Sequence, residues 1–425
     1  MMIFLSCLEA AIGLALLVLM YGVMFRRPWI RLVAEPVATS IGARAGIAVA
    51  LGLAAFFALA AIFVPFLAFF AATLMVAVTA TLGLTVRLAK GRLSLLLVIS
   101  TLGAALGMAA LQPLGLKVLL LPKADELPYK PVPSTVIKTY GPGVWFEGVS
   151  AGPQGTLYLA ANRDLDFTVA KYYRRAQGQV VAREPDGAEH ILLTTPRGST
   201  AGVIAIAPDG TLYMTSNGGQ PGLWRLTPGG TAAKFARLPR GAWPNGLDFG
   251  PDGMLYAADS ALGQVWRIDP HTGRSEIALR DRKLAARRLI ALAPGANGLH
   301  FVGRDMTVTV SDSTEVLRYR LKDDRQFSQP VLIARGVPGD DFAVGPDGSL
   351  FITTHPYDTI VRVAPDGHRT TIADHRQQIV GATDATFGRS AHDRSTLYVV
   401  TDGGAFTGGP HTRGALVALK PYGTN

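Results

Sequence analysis

Residues 243–260 read WPNGLDFGPDGMLYAADS, and this stretch is the unit from which about the last two thirds of the 425-residue chain is built. An apolar run, a Pro-Asp-Gly turn and a second apolar run that ends in a polar pair predict a β-hairpin. The same pattern recurs in five further copies. They begin with FEGVSAGPQG at residue 146, AGVIAIAPDG at 201, ANGLHF at 296, GDDFAVGPDG at 339 and TDATFG at 383.

Each copy carries one residue at an equivalent place, six positions before the turn proline or at the matching point of the two copies without that proline. These six residues are Glu147, Gly202, Asn245, Asn297, Asp340 and Thr383. The aromatic anchors of the copies recur about every 40 to 55 residues, which is typical of four-stranded propeller blades. We therefore predict an all-β six-bladed β-propeller over residues 136–425, closed by pairing of the segment near residues 134–140 with the last blade. One position in each innermost strand of a propeller faces the axis, so the polar members of this set are expected to converge.

The chain before residue 122 differs sharply in composition. Apolar runs at residues 3–25, 45–64, 66–86 and 93–111 predict an α-helical membrane domain of about four transmembrane helices over residues 1–121. With four spans, the basic loops RRPWIR and RLAKGR lie on one side, as the positive-inside rule requires. We expect a protein of the bacterial inner membrane with its propeller on the extracytoplasmic, periplasmic side. The proline-rich residues 122–135 predict a short, stiff linker.

The net charge of +10 raises the question of nucleic-acid binding. The first 126 residues carry nine Lys and Arg against four Asp and Glu, beside apolar runs, and the remainder carries 32 against 27. Because the propeller region has no basic block with interleaved aromatic residues, nucleic acid is excluded as a partner. The lipid bilayer and a small molecule are the expected partners.

The NGLDFGPDG block, the Glu-Gly pair of the first copy, the second Asn-Gly-Leu and the GDDFAV copy resemble the senescence-marker-protein, gluconolactonase and luciferin-regenerating-enzyme family. The resemblance covers roughly residues 136–423 and leaves the membrane segment unexplained. It implies one divalent cation on the propeller axis, with Glu147, Asn297 and Asp340 as ligands and Asn245 as the auxiliary asparagine near metal and substrate. Two carboxylates and two amides form a hard oxygen site that suits Ca²⁺ most, and also Mg²⁺ or Mn²⁺.

The chemistry implied by the resemblance is hydrolysis of a cyclic ester by a membrane-anchored, metal-dependent, lactonase-like enzyme. A bound cation polarises the lactone carbonyl, and Asp340 is expected to act as a ligand that also takes the proton of the attacking water. We expect His300 and His355, near the inner hairpins, to face the cavity and contact substrate, with a surface or structural role as the alternative for each. Trp243 stands where sugar-lactone enzymes of this family tend to carry arginine, which favours a less polar lactone or ester.

Two alternatives stay open from the sequence. One is a non-catalytic, membrane-tethered propeller that serves as a binding or scaffold module, since fold does not fix function. The other is a strictosidine-synthase-like propeller enzyme without a catalytic metal. Metal dependence of stability and of lactone opening would separate them. A serine hydrolase is disfavoured because the chain has no G-x-S-x-G elbow.

Overall fold

The computed structural model describes residues 121–166, 173–286 and 293–423, together with four isolated helical positions at 14, 17, 18 and 21. Apart from those four positions, the predicted membrane spans lie outside the described residues. Within the described ranges no helix is both long and apolar enough to cross a bilayer. The chain divides into two compact units, Met1–Leu119 and Leu120–Asn425, and every strand described below belongs to the second.

Six four-stranded antiparallel sheets make up the second unit. Blade 1 contains β2 (Val144–Ala151), β3 (Leu157–Arg163), β4 (Gln177–Arg183) and β5 (Glu189–Thr194). Blade 2 contains β6 (Ile204–Ile206), β7 (Leu212–Ser216), β8 (Gly222–Leu226) and β9 (Ala233–Arg237). Blade 3 contains β10 (Pro244–Phe249), β11 (Leu255–Asp259), β12 (Gln264–Ile268) and β13 (Ser275–Arg280).

The remaining three sheets repeat the same order, from the innermost strand outward. Blade 4 contains β14 (Ala296–Val302), β15 (Asp305–Val310), β16 (Glu315–Arg320) and β17 (Val331–Ala334). Blade 5 contains β18 (Phe342–Val344), β19 (Leu350–Thr354), β20 (Thr359–Val363) and β21 (Arg369–Ala373). Blade 6 contains β22 (Ala382–Phe387), β23 (Leu397–Thr401), β24 (Ala415–Leu419) and β1 (Ser134–Thr139).

The innermost strands β2, β6, β10, β14, β18 and β22 contact one another in sequence around a closed ring. The predicted six-bladed propeller is therefore confirmed. The ring is closed as the sequence indicated, because β1 pairs with β24 from Ser134 opposite Leu419 to Thr139 opposite Ala415. The first and last parts of the propeller thus share one sheet, which ties the ring together.

The Pro-Asp-Gly turns explain why the hairpins of the repeats form where they do. The aspartate carboxylate accepts the amide hydrogen two residues further on, at 2.9 Å from Thr211 to Asp209 and 3.0 Å from Ser349 to Asp347. The glycine between them takes a positive φ, for example 84° at Gly210, which a residue with a side chain rarely adopts. Turn chemistry therefore fixes the register of each hairpin.

Buried threonines of the second strands tie three of the blades to the next blade. The Thr215 hydroxyl donates to the Asn245 carbonyl at 3.0 Å and the Thr309 hydroxyl to the Asp340 carbonyl at 2.7 Å. The Thr353 hydroxyl donates to the Thr383 carbonyl at 2.9 Å. In each case the acceptor is one of the six residues predicted to face the axis, so these bonds hold the backbone of those residues in place.

The segment predicted to be a linker is packed against blade 5 over much of its length. The amide groups of Lys130 and Val132 donate to the carbonyl oxygens of Thr371 and Ile372 at 2.8 and 3.0 Å. The Thr371 amide donates back to the Pro128 carbonyl at 2.9 Å. These bonds run beside β21, so this stretch packs on the propeller. We call it the docked strap.

Candidate functional site at the propeller axis

All six residues at the repeated register position line one central cavity of about 340 Å³. In four blades the hairpin register shifts at this position, as between Phe146 and Gly148 or between Ala382 and Asp384. The same shift occurs in β10 and β14. A β-bulge re-aims a side chain at the end of a strand, which accounts for axial residues that leave the sheet face and point into the cavity.

Three of the predicted site residues form a hydrogen-bonded chain across neighbouring blades. The Asn245 side-chain amide donates to the Asn297 side-chain oxygen, and the Asn297 amide donates to Asp340 Oδ1 at 2.7 Å. The Asn297 amide also donates to the Ser311 hydroxyl at 3.0 Å. All of these side chains are buried. The structure therefore brings Asn245, Asn297 and Asp340 into direct contact.

Glu147 lines the same cavity and acts on Asp340 through its charge. We call Glu147, Asn245, Asn297 and Asp340 the polar centre of the cavity. Burial raises the pKa of Glu147 to about 7, against the opposing charge of His355. Burial, followed by repulsion from Glu147, holds the pKa of Asp340 well above its ordinary value. Two carboxyl groups that repel each other in a buried cavity form an arrangement that a cation or a proton would stabilise.

A second set of residues, at the ends of the second strands, surrounds this centre. Each lies four residues after the position of the aromatic anchor of its blade. These residues are Asn162, Asn217, Ser260, Ser311, His355 and Asp402. All of them except Ser311 line the cavity. We call them the second ring. The sequence predicted only His355 of this ring at the cavity, although counting from the anchors locates all six positions.

In blades 1 to 4, the second ring forms one repeated bond to the next blade. The acceptor is the carbonyl of the residue just before the axial residue of that blade. The bonds run from Asn162 to Ala201 at 2.7 Å, Asn217 to Pro244 at 3.1 Å, Ser260 to Ala296 at 2.8 Å and Ser311 to Gly339 at 2.6 Å. Four members of the second ring therefore serve as ties between blades.

Blades 5 and 6 depart from this pattern. The residues that stand there pair with each other, with His355 Nε2 at 3.0 Å from Asp402 Oδ2. His355 Nδ1 lies 3.9 Å from Asp340 Oδ2. Burial alone would lower the pKa of His355, but Asp402, Asp340 and Glu147 together raise it to about 9. The imidazole is thus oriented by one buried carboxylate and directed towards the two carboxyl groups of the cavity.

The backbone near Asp402 is shaped to hold this carboxylate. The Gly404 amide donates to Asp402 Oδ1 at 2.6 Å. A Cβ atom on Gly381 would lie 1.7 Å from the same oxygen, and Gly381 also has a φ of 64°. Asp402 is 1% exposed. Only glycine leaves room for the carboxylate at this place, and Asp402 is the site residue that the sequence reasoning missed.

The predicted substrate residues divide into two groups. Trp243 and His355 line the cavity, as does Trp145. His300 is not among the residues that line this cavity, and its contact with substrate stays a prediction. His300 lies three residues beyond Asn297 on β14, with Nε2 at 3.1 Å from Asp341 Oδ1 and Nδ1 at 3.5 Å from Asp248 Oδ2. The bulge at Asn297 turns that residue into the cavity, whereas His300 is held between two carboxylates farther along the strand.

The donor chemistry of the axial residues fits a hard divalent cation. Glu147 and Asp340 offer carboxylate oxygens, their burial raises their pKa values, and Asn245 and Asn297 add amide oxygens once a ligand competes for the bonds between them. Across the described residues no group of three or more His, Cys, Asp or Glu side chains is placed to hold a metal. The predicted set contains only two carboxylates, and its other donors are amides.

A six-bladed propeller with a buried polar site on its axis is the class of protein that the fold and cavity define. No family profile matches the chain. Virginiamycin B lyase of Nocardia farcinica (strain IFM 10152) is 32% identical over 177 residues, which are 38% of this chain and 60% of that lyase. The chain therefore spans less than two thirds of the length of this curated relative.

Solved structures of propeller proteins also match. The gluconolactonase of Xanthomonas campestris has a TM-score of 0.47 and 19% identity, covering 70% of this chain and 98% of its own. Regucalcin of Agrobacterium tumefaciens, a calcium-binding protein, has a TM-score of 0.48 and 15% identity, covering 69% and 97%.

Proposed function

We propose that this chain is an enzyme that opens a cyclic ester in the central cavity, in the manner of a lactonase. One observation carries the proposal. In four blades the residue at the end of the second strand donates to a backbone carbonyl of the next blade. His355 and Asp402 instead bond to each other and form a charged pair beside Asp340. A buried imidazole oriented by a carboxylate and directed at a second carboxyl group is an arrangement suited to proton transfer.

In the proposed hydrolysis, the oxygen of a water molecule attacks the lactone carbonyl carbon and the ring C–O bond breaks. Asp340 accepts the proton of the attacking water, and protonated His355 donates a proton to the ring oxygen as it leaves. The proton then passes from Asp340 to His355, whose Nδ1 lies 3.9 Å from Asp340 Oδ2, and the site is restored. Asp402 holds the imidazole through Nε2, so its role is to position His355.

We also propose that a divalent cation, with Ca²⁺ favoured, is held by Glu147, Asn297 and Asp340 beside Asn245. Its chemical contribution when bound is positive charge that polarises the carbonyl of the ester. Two carboxyl groups whose pKa values are raised by burial and mutual repulsion support this assignment. The calcium-binding regucalcin among the structural neighbours is consistent with it.

Anchoring by four membrane spans, with the propeller on the extracytoplasmic side of a bacterial inner membrane, remains part of the proposal. It is supported by the apolar runs between residues 3 and 111 and by the placement of the basic loops. Protease protection of the propeller in sealed spheroplasts, compared with ruptured ones, tests the orientation. Cleavage in intact spheroplasts is expected, and protection would contradict it.

A second candidate is a lyase reaction, and a specific observation favours it. The virginiamycin B lyase of Nocardia farcinica is 32% identical to this chain over 177 residues. In an elimination, Asp340 or His355 would take a proton from the carbon next to the ester-bearing carbon. A C=C bond forms, the C–O bond breaks and the ester leaves as a carboxylate.

The mass of the opened product separates the two reactions. The full-length chain is incubated with a panel of lactones and cyclic depsipeptides, and the products are examined by mass spectrometry. Hydrolysis adds the mass of one water molecule, and elimination leaves the mass of the substrate unchanged. A product with added water supports the lactonase proposal, and a product of unchanged mass supports the lyase. No opening of any member by wild type, with His355→Ala indistinguishable from it, would contradict both.

A further inference from the structure

The central cavity has an apolar side as well as a polar centre. Six of the larger apolar residues that line it come from loops at one end of the sheets and from the start of β2. We call these residues the apolar wall, and they are Leu121, Trp145, Leu165, Trp243, Pro356 and Phe406. Each polar group described above lies on a strand or within two residues of one, and five of the six wall residues lie outside the strands. One cavity therefore joins reactive polar groups to an apolar surface.

The part of the wall near blades 1 to 3 is packed in place. Trp145 and Leu165 are 4% and 2% exposed and belong to a cluster with Ala176, against which Tyr173 packs. The Tyr173 ring lies 6.3 Å from the Trp243 ring, centroid to centroid. Because these side chains support one another, this surface is preformed for an apolar group of a ligand.

The other part of the wall adjoins the His355 and Asp402 pair. The Phe406 ring, from the short helix α1 (Ala405–Gly408), meets the His355 ring edge to face at 6.0 Å. Leu121 is fixed beside them because the Tyr357 hydroxyl donates to the carbonyl of Pro122 and the docked strap follows. The apolar wall thus continues to the residues proposed to transfer protons.

We infer that the substrate is an amphiphilic cyclic ester, with its ester group at Asp340 and His355 and an alkyl or aryl substituent against the apolar wall. This inference rests on the proposed function and narrows its substrate class. A sugar lactone carries hydroxyl groups around its ring, and those facing the wall would lose hydrogen bonds to water without replacement. An apolar substituent instead gains from burial there.

The size of the cavity limits the substituent. At about 340 Å³ it lies near the lower end of the roughly 300–1,000 Å³ typical of small-molecule sites. Each buried methylene is expected to raise kcat/KM about fourfold, from the usual gain per buried CH₂ group. The increase should level off once the substituent fills the wall, so a short or medium chain is expected.

The test compares lactones that differ only in their apolar arm. The full-length chain is assayed with γ-lactones carrying unbranched alkyl substituents of increasing length, and with glucono-δ-lactone as the polar probe. We expect kcat/KM to rise about fourfold per methylene over the first members, and the polar probe to be the poorest substrate. Trp243→Ala should flatten this rise, and Trp243→Phe should retain more of it.

Trp224→Ala is the matched control, because Trp224 packs beside another core cluster and is not among the residues lining the cavity. Its dependence on chain length should equal that of wild type, with thermal unfolding recorded for every variant. Turnover that is independent of chain length, or preference for glucono-δ-lactone, would overturn this inference and leave the proposed function standing. Failure to open every lactone would overturn the proposed function and the inference with it.

Discussion

The second ring of the propeller behaves differently in blades 1 to 4 and in blades 5 and 6. In the first group a buried amide or hydroxyl donates to the neighbouring blade, as Ser260 does to Ala296 at 2.8 Å. In the second group His355 and Asp402 bind each other at 3.0 Å beside the polar centre of the cavity. Equivalent positions of a repeat could all form the same bond to a backbone carbonyl of the next blade. Because His355 and Asp402 bond to each other instead, we assign them a catalytic role.

The largest expected effect falls on the pair itself. His355→Ala should lower kcat for ring opening by about 10²- to 10⁴-fold, the range that positioned acid–base groups contribute. It should also lower the free energy of unfolding, because it leaves the buried Asp402 carboxylate without its partner, so the rate is expressed per folded molecule. Steady-state kinetics and denaturant unfolding measure the two quantities separately. A loss of stability without a loss of turnover per folded molecule would show that His355 is a structural residue, like its equivalents in blades 1 to 4.

We expect the second largest effect from removal of the proposed cation. At a free Ca²⁺ concentration 100 times its Kd, the propeller should gain about 2.7 kcal/mol, or roughly 5–10 °C in Tm. Chelator should abolish this gain, and so should Asp340→Asn, which keeps the shape of the side chain. Scanning calorimetry of both proteins with and without Ca²⁺ measures it. An equal gain in Asp340→Asn would place the cation elsewhere.

Asp402→Asn should have a smaller effect on turnover than His355→Ala. Loss of a hydrogen bond to a charged group is worth about 1.5–3 kcal/mol, or about 10- to 100-fold in kcat. Because Asp402 acts only through His355, the double variant should be no slower than His355→Ala alone. Additive losses in this cycle would show that Asp402 contacts the reacting groups independently.

Ser260→Ala tests the bonds between blades 1 to 4, and we expect it to have the smallest effect on activity of these variants. It leaves the buried Ala296 carbonyl without its donor, which costs about 1–3 kcal/mol of stability. Turnover per folded molecule should stay close to that of wild type. Urea unfolding and active-site-normalised rates test both statements, and a loss of turnover comparable to that of His355→Ala would remove the distinction between the two groups of blades.

Much of the fold could be predicted because the chain repeats its turn chemistry. The turn proline and glycine fix the hairpin register, so counting back from the proline located Glu147, Asn245 and Asp340 at one cavity. The pairing of the segment near residue 134 with the last blade followed from the need to close the ring. The docking of residues 125–132 on blade 5 rests on backbone bonds that proline-rich composition does not indicate.

The site was harder to predict because it depends on contacts between blades. Asp402 lies in a Thr-Asp-Gly-Gly stretch that looks like an ordinary turn, and only its pairing with a histidine of the preceding blade distinguishes it. His300 was expected at the cavity because it lies near an inner hairpin in the sequence, but it is not among the residues that line it. The bulge at Asn297 turns the two side chains to different places, and a strand pattern without the bulge does not contain that information.

The most direct test of the account is the rate of lactone opening per folded molecule, measured on the full-length wild-type chain and on His355→Ala in the same assay. We expect measurable turnover by wild type and a loss of at least about 100-fold per folded molecule in the variant. Equal rates in the two proteins, with both folded, would contradict a catalytic role for the pair in blades 5 and 6.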